Sequence, residues 1–448
     1  MNLRTSLLRQ LANPDLNRNN KALLRCKLAR EQEDRGNYDD AREIIGELWQ
    51  SVGEHPAIEK LEPQTAAEVL LRAGVLTGHL ADRYQIENGQ EIAKNLISET
   101  IAIFESLGSV DKVSEAQTEL ALCYWREGRY DEARIILKSV LARTDSDIEL
   151  KAKVILRSAV VERAATKYKD AFRILTDAAS LFDRVTNHTV RGGYHNELAI
   201  VLRNLGTREK REDYIDRAFV EYTAASYHFE EARHKCYWAN VENNLGFLHF
   251  KAGRFKEAHR HLDDARRLLV SLKDKSTLAQ VDETRARVFL AQLNYAEAER
   301  VARVAVCALE KGDRQSLLAE ALTTHGITLA RLNYYEQARF TLQHAIELAQ
   351  RAGVDYGTAE AELKKVEEYL ERHKEPAATS GCVLSEEMHR YEAQLIGQAL
   401  ARARGSITQA ASLLGITHQR LGYILAGRHK DLLTARNPVK RRKTSYLK

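Results

Sequence analysis

The stretch that decides the fold runs from Gly253 to Ala338. It holds GRFKEA (253–258), LNYAEA (293–298) and NYYEQA (333–338), one motif laid down three times at intervals of 40 residues. A small or polar residue, any residue, an aromatic, two further residues and an alanine make up each copy. Working outward, the same pattern recurs as GNYDDA (36–41), GRYDEA (128–133) and TKYKDA (166–171), with weaker copies at NGQEIA (88–93) and DYIDRA (213–218). Twelve residues before most of the closing alanines stands another small residue: Ala29, Ala81, Ala121, Ala159, Gly246, Ala286 and Gly326. The copy ending at Ala218 keeps this register at Ala199 if about seven extra residues, Thr207–Asp213, lengthen the turn between its two helices. Five copies carry a third alanine seven residues after the closing one, at 178, 225, 265, 305 and 345.

Small residues in phase along a chain let neighbouring helices approach to the short end of the usual spacing of about 8–10 Å. Each copy therefore reads as a helix, a tight turn and a second helix starting near the aromatic. Tyr38, Tyr130, Tyr168, Phe255, Tyr295 and Tyr335 are expected to plug the turns. Proline supports the same reading. All five prolines (14, 56, 63, 376, 438) avoid residues 64–375, and a proline inside a helix costs about 3 kcal/mol. Strand-like alternation between Asn-Gly turns is missing. The predicted fold is all-α, a helical-repeat solenoid in which each unit buries its apolar face only against its neighbours.

Composition narrows the function. The 448 residues carry 68 basic and 63 acidic side chains, but the charge is uneven. Residues 401–448 hold eleven Lys or Arg and one acid, a net +10, which leaves −5 for the rest of the chain. Such an end suits a polyanion. Five well-separated cysteines (26, 123, 236, 307, 382) form no Cys-x-x-Cys pair, so reduced thiols in a cytoplasmic protein are the expectation. No apolar run approaches the ~18 residues of a membrane span, and no membrane association is expected.

These repeats resemble the tetratricopeptide repeat, in the 40-residue variety found in bacterial signalling regulators. The resemblance covers about eight units over residues 22–373, after an amino-terminal segment, 1–21. It implies a concave inner face that binds a peptide or protein. On that face Asn196 and Asn243 occupy matching places in neighbouring units, three residues before the small site. A side-chain amide offers a paired donor and acceptor to a peptide backbone. Arg126, Lys251 and Arg331, five residues after the small site, would add charge there; solvated surface polarity is the plainer reading of all five.

Beyond a linker at 374–383, residues 384–433 form a second unit, followed by a basic tail, 434–448. Leu395, Ile396, Ala399 and Leu400 give its first helix an apolar face. Gly405 ends that helix, and Ser406 or Thr408 can cap the next, which carries Ala410, Ala411, Leu413 and Leu414. Gly415 supplies a positive-φ turn and Ile416 a buried plug. Thr417 caps a third helix with Leu421, Ile424 and Leu425 inward. That order is the grammar of a helix-turn-helix. The segment resembles the Fis-type helix-turn-helix, most specifically over Thr408–Ile416. The resemblance implies DNA binding, usually as a dimer, with the third helix in the major groove. Candidate DNA contacts are Ser406, Thr408, Thr417, His418, Gln419, Arg420, Tyr423, Arg428 and Lys430. The run KRRK (440–443) reads equally as a phosphate-binding arm or a solvated tail. Gly422 stands where the family usually has tyrosine, and Tyr423 and Ile424 stand in usually basic places.

Catalysis finds no motif. Neither a phosphate-binding G-x-x-x-x-G-K-[ST] loop nor His-Glu-x-x-His nor Gly-x-Ser-x-Gly occurs. His259 and His261 lie two apart on a helix and so point to different sides. No enzymatic activity, cofactor or metal is expected. The reading is a DNA-binding transcription regulator whose repeats bind a peptide or protein, as a homodimer if it follows the family. The alternative is a scaffold or adaptor whose basic end serves localisation or protein interaction.

Overall fold

The structure, a computed structural model, describes residues 16–84, 86–144, 147–310, 314–373 and 384–435. The expected linker (374–383), most of the amino-terminal segment and the basic tail from 436 onward lie outside the described residues. Regular structure among the described residues is entirely helical. The chain divides into two compact units at Tyr369 and Leu370.

The first unit is a run of helix pairs: α1 (Arg18–Glu33) with α2 (Tyr38–Ile45), α3 (Pro63–Tyr84) with α4 (Gly89–Ser106), α5 (Val110–Arg126) with α6 (Tyr130–Leu141), and α7 (Ile148–Ala164) with α8 (Tyr168–Asp177) and the short α9 (Ala179–Phe182). Four more pairs follow: α10 (His188–Glu209) with α11 (Glu212–Glu231), α12 (Lys235–Lys251) with α13 (Phe255–Leu272), α14 (Lys275–Ala291) with α15 (Tyr295–Leu309), and α16 (Gln315–Arg331) with α17 (Tyr335–Ala352). A last helix, α18 (Gly357–Arg372), lies against the eighth pair, where Glu362 pairs with Arg331 and Tyr369 stacks on Tyr335.

The motif explains the pairs residue by residue. All eight closing alanines, from Ala41 to Ala338, have no exposed surface. Six second helices begin at the motif's aromatic. Of these aromatics only Tyr38 is buried; the others are half-buried, and Tyr335 stacks on Tyr369 of α18 at 3.7 Å. The small site facing each closing alanine is equally necessary. A Cβ on Gly246 would stand 2.6 Å from Leu262 Cγ, and one on Gly326 would stand 2.6 Å from Leu342 Cγ.

Two expectations fail. Thr207–Asp213 do not lengthen a turn. Helix α10 runs on to Glu209, Lys210 takes a left-handed φ of 55°, and α11 starts at Glu212. With neither glycine nor proline in TREKRED, continuing the helix keeps its hydrogen bonds, which an open loop would forfeit. Ala178 is not a buried contact like its four counterparts. It lies at the break between α8 and α9 and is half-buried.

The second unit is built from α19 (Leu384–Arg402), α20 (Ile407–Leu413), α21 (His418–Gly427) and a 3-10 turn, Lys430–Ala435. Its core comprises Ile396, Ala399, Leu400, Ala403, Ala410, Ala411, Leu421 and Leu425. Ile416, Ile424 and Leu414 pack against it while partly exposed. Leu395 and Leu413, expected inside, are 39% and 60% exposed. The helices here are short, and two alanines already fill the space between α20 and its neighbours.

Candidate ligand cavity and nucleic-acid interface

In the first six pairs the first helix faces inward. Over the first six pairs these faces enclose a cavity of about 730 Å³, within the about 300–1,000 Å³ typical of ligand sites. Its closure comes from the repeats curling round until the first two pairs meet the fifth and sixth. Thr189 Oγ1 donates to the Asp34 carbonyl at 2.9 Å, and Arg83 Nη2 donates to the Leu272 carbonyl at 2.6 Å. Gly36, at φ 71°, lies against the His234 ring so closely that a Cβ would fall 2.5 Å from it. Tyr38 stacks on His79 at 4.2 Å, and His234 stacks on Tyr237 at 3.9 Å.

The wall is charged in both senses. Arg72, almost fully buried, pairs with Glu33 and, at 3.3 Å, with Glu115. Burial pushes the Glu33 carboxyl up to about 7 against the pull of Arg72. Burial also works on Glu115, but Arg72, Arg30 and Lys112 outweigh it and hold that carboxyl at about 2. Arg163 pairs with Glu197 farther along. Burial lowers His234 to about 4, and burial with the nearby Arg126 and Arg157 holds His79 well below the usual imidazole range. Both imidazoles are thus neutral at pH 7. Lys153 and Arg157 also line the cavity.

The five groove candidates do not share this site. Asn196 lines the cavity. Its Oδ1 is buried without a hydrogen-bond partner, as is that of Asn243, which lies outside the lining. Arg126 donates to the His79 ring at 3.1 Å, behind the wall. Lys251 is exposed and lies over Phe247 at 5.5 Å. Arg331 is engaged with Glu362 at 3.4 Å, at the far end of the repeats. The sequence reading missed the charged network of Arg72, Glu33 and Glu115 and the Tyr38–His79 stack. A lone Arg in the apolar run of α3 was its available signal.

In the second unit Thr417 is the cap of α21, its Oγ1 accepting from Arg420 N at 3.2 Å. His418, Gln419, Arg420 and Tyr423 are exposed on that helix, Tyr423 at 80%. Ser406 holds the cap position of α20 without a side-chain bond to the backbone, and Thr408 is exposed in its first turn. Lys430 is exposed, whereas Arg428 is drawn to Glu392 at 3.5 Å. His429, unremarked in the sequence, is buried and bonds Glu392 at 2.9 Å. Together with Arg428 it keeps the Glu392 carboxyl below the usual range.

Residues 388–425 match the family model described as bacterial regulatory protein, Fis family. The second unit is a Fis-type helix-turn-helix. This Fis-type unit follows tetratricopeptide repeats, whose family model matches residues 114–146 and 319–351. A search of curated proteins finds no significant match. Among solved structures, the apo form of the quorum sensor NprR from B. thuringiensis is similar with a TM-score of 0.51 at 13% identity, covering 77% of this chain and 92% of that one. Human IFIT1, solved as a dimer with PPP-AAAA, is similar with a TM-score of 0.50 at 15% identity, covering 77% and 76%. At such identities the likeness is one of fold. No helix among the described residues is long and apolar enough to cross a membrane.

Proposed function

We propose that the protein is a transcription regulator in which the repeat cavity binds a short peptide and the Fis-type unit binds DNA. The observation that carries the peptide half is Asn196. A buried acceptor left without a partner costs about 1–3 kcal/mol, and a turn of the Asn196 amide toward the cavity would let it accept from a ligand backbone N–H while its own N–H pairs with a carbonyl. Lys153 and Arg157 are cationic points for a peptide carboxylate. A polyphosphate ligand is less suited, because Glu33, Asp34, Glu115, Glu119 and Glu197 put several carboxylates on the same wall. For the DNA half, the exposed first turn of α21 supplies Gln419 and Arg420, side chains that read adenine and guanine edges. Met388, Tyr391 and Leu395 form an exposed apolar stripe along α19, which fits pairing with a second copy and two half-sites.

The test is a screen of short peptides against the full chain by thermal shift, repeated with Asn196→Ala and Asn243→Ala. Hits should lose binding in Asn196→Ala with the unliganded melting temperature nearly unchanged, and should alter the mobility shift of bound DNA. Peptides that bind both variants as they bind the wild type would remove the cavity from the reading.

A further inference from the structure

In the second unit, His389 and Glu392 stand three residues apart on α19 and so share one face. His429, just past the end of α21, folds back onto them. One ligand atom from each residue, two imidazole nitrogens and a carboxylate oxygen, lies within 4.8 Å of the others. His429 Nε2 is 2.9 Å from Glu392 Oε2, and His389 Nε2 is 3.1 Å from the Arg428 carbonyl oxygen. The two imidazole rings are 4.4 Å apart. His389 is exposed, Glu392 half-buried and His429 buried. The cluster therefore rests on the core at one side and opens to solvent at the other.

We propose that His389, Glu392 and His429 bind a divalent transition-metal ion, with zinc the best match. Two imidazoles and a carboxylate are a zinc donor set that leaves a fourth position for water. Around a tetrahedral ion with bonds of about 2.0–2.2 Å the ligand atoms sit about 3.3–3.6 Å apart. Rotation of the exposed His389 side chain supplies most of the closure from the spacing seen here. A coordinating nitrogen carries no proton, so His429 would bind the ion through the Nε2 that faces Glu392, as the neutral tautomer with its single proton on Nδ1.

Occupancy has a consequence within the same unit. Glu392 is also the partner of Arg428, at 3.5 Å. An ion that takes the carboxylate releases the guanidinium beside the end of α21, where it can meet a phosphate. Metal and DNA would then each strengthen the binding of the other by the same factor.

Metal-free full-length protein is titrated with zinc chloride in a calorimeter at pH 7, beside His389→Ala and Glu392→Gln, with helix content followed by circular dichroism. The wild type should bind one equivalent more than either variant, with that equivalent weakened at least about 100-fold by either change, since loss of an outer-shell partner alone costs 10–100-fold. In a cobalt titration the same equivalent should carry a four-coordinate visible absorption that both variants lack. The exposed position of His389 and the matched shape of Glu392→Gln leave the fold in place. Equal zinc stoichiometry and affinity in wild type and variants would overturn the proposal, as would a wild type that takes up no zinc in the micromolar range.

Discussion

Gly246 and Gly422 both stand inside helices, and the structure assigns opposite outcomes to replacing them with alanine. In free helix, Gly→Ala gains about 1 kcal/mol. At Gly422 of α21 an added Cβ meets nothing within 4 Å, so the whole gain of about 1 kcal/mol should appear. At Gly246 of α12 the new methyl would lie 2.6 Å from Leu262 Cγ, 2.8 Å from its Cδ2 and 3.3 Å from the Ala258 carbonyl oxygen. Leu262 is fully buried and has no solvent to move into. Overpacking of this kind costs about 1–3 kcal/mol, which outweighs the helix gain, and separation of α12 from α13 also strips their packed alanines. The expected net effect is a loss of about 1–2 kcal/mol. Amide hydrogen exchange read peptide by peptide resolves the two regions in one chain. Protection should fall across α12 and α13 in Gly246→Ala and rise across α21 in Gly422→Ala. Increased protection in Gly246→Ala would refute the idea that these helices meet through a missing side chain.

Three further outcomes are expected. Leu293, 70% exposed, holds a left-handed φ of 61° just past α14, so Leu293→Gly should raise thermal stability by about 0.5–1 kcal/mol in a calorimetric scan. The buried His234 has its pKa lowered from 6.5 to about 4, so between those values the unfolded chain holds a proton the folded one refuses. Its effect is that stability is full above pH 6.5 and falls by about 3 kcal/mol toward pH 4. Glu33, lifted from 4.5 to about 7, acts in the opposite sense, so the readout is the pH dependence of the difference between wild type and His234→Gln in urea unfolding. For DNA, Arg420→Ala should cost about 1–3 kcal/mol on the best site and relax one base pair of preference, while removing residues 436–448 should weaken all sequences alike and lower the salt slope by about 0.9 per lost contact; selection from random DNA would expose a reversal of these roles.

The repeat was legible because its signal is steric and periodic. An alanine that must be buried leaves the same mark in every copy, and Ala41 through Ala338 are buried as their spacing requires. The Fis-type unit was legible for a related reason, since Gly415 at φ 68° and the Thr417 cap are local devices. The cavity was not. Which repeats enclose space depends on the small rotation between successive pairs, and that rotation is summed over five pairs before Asp34 meets Thr189. No single motif encodes it, so Asn196 and Arg331 were both placed on the inner face by their register although one lines the cavity and the other pairs with Glu362. The His389, Glu392 and His429 cluster escaped because its members come from two helix ends separated by 40 residues of chain.

A stack of repeats in which each touches only its neighbours loses stability piecemeal, its ends fraying before its middle. The bonds from Asp34 to Thr189 and from Arg83 to Leu272 change that rule for part of this chain. They tie the first pair to the fifth and the second pair to the sixth, so the early pairs do not fray as an open end. These six should unfold together, with the seventh and eighth pairs and α18 left to melt as an ordinary open end. A ligand in the cavity would then stabilise six repeats at once, turning a local binding event into a change in the cooperativity of three-quarters of the solenoid.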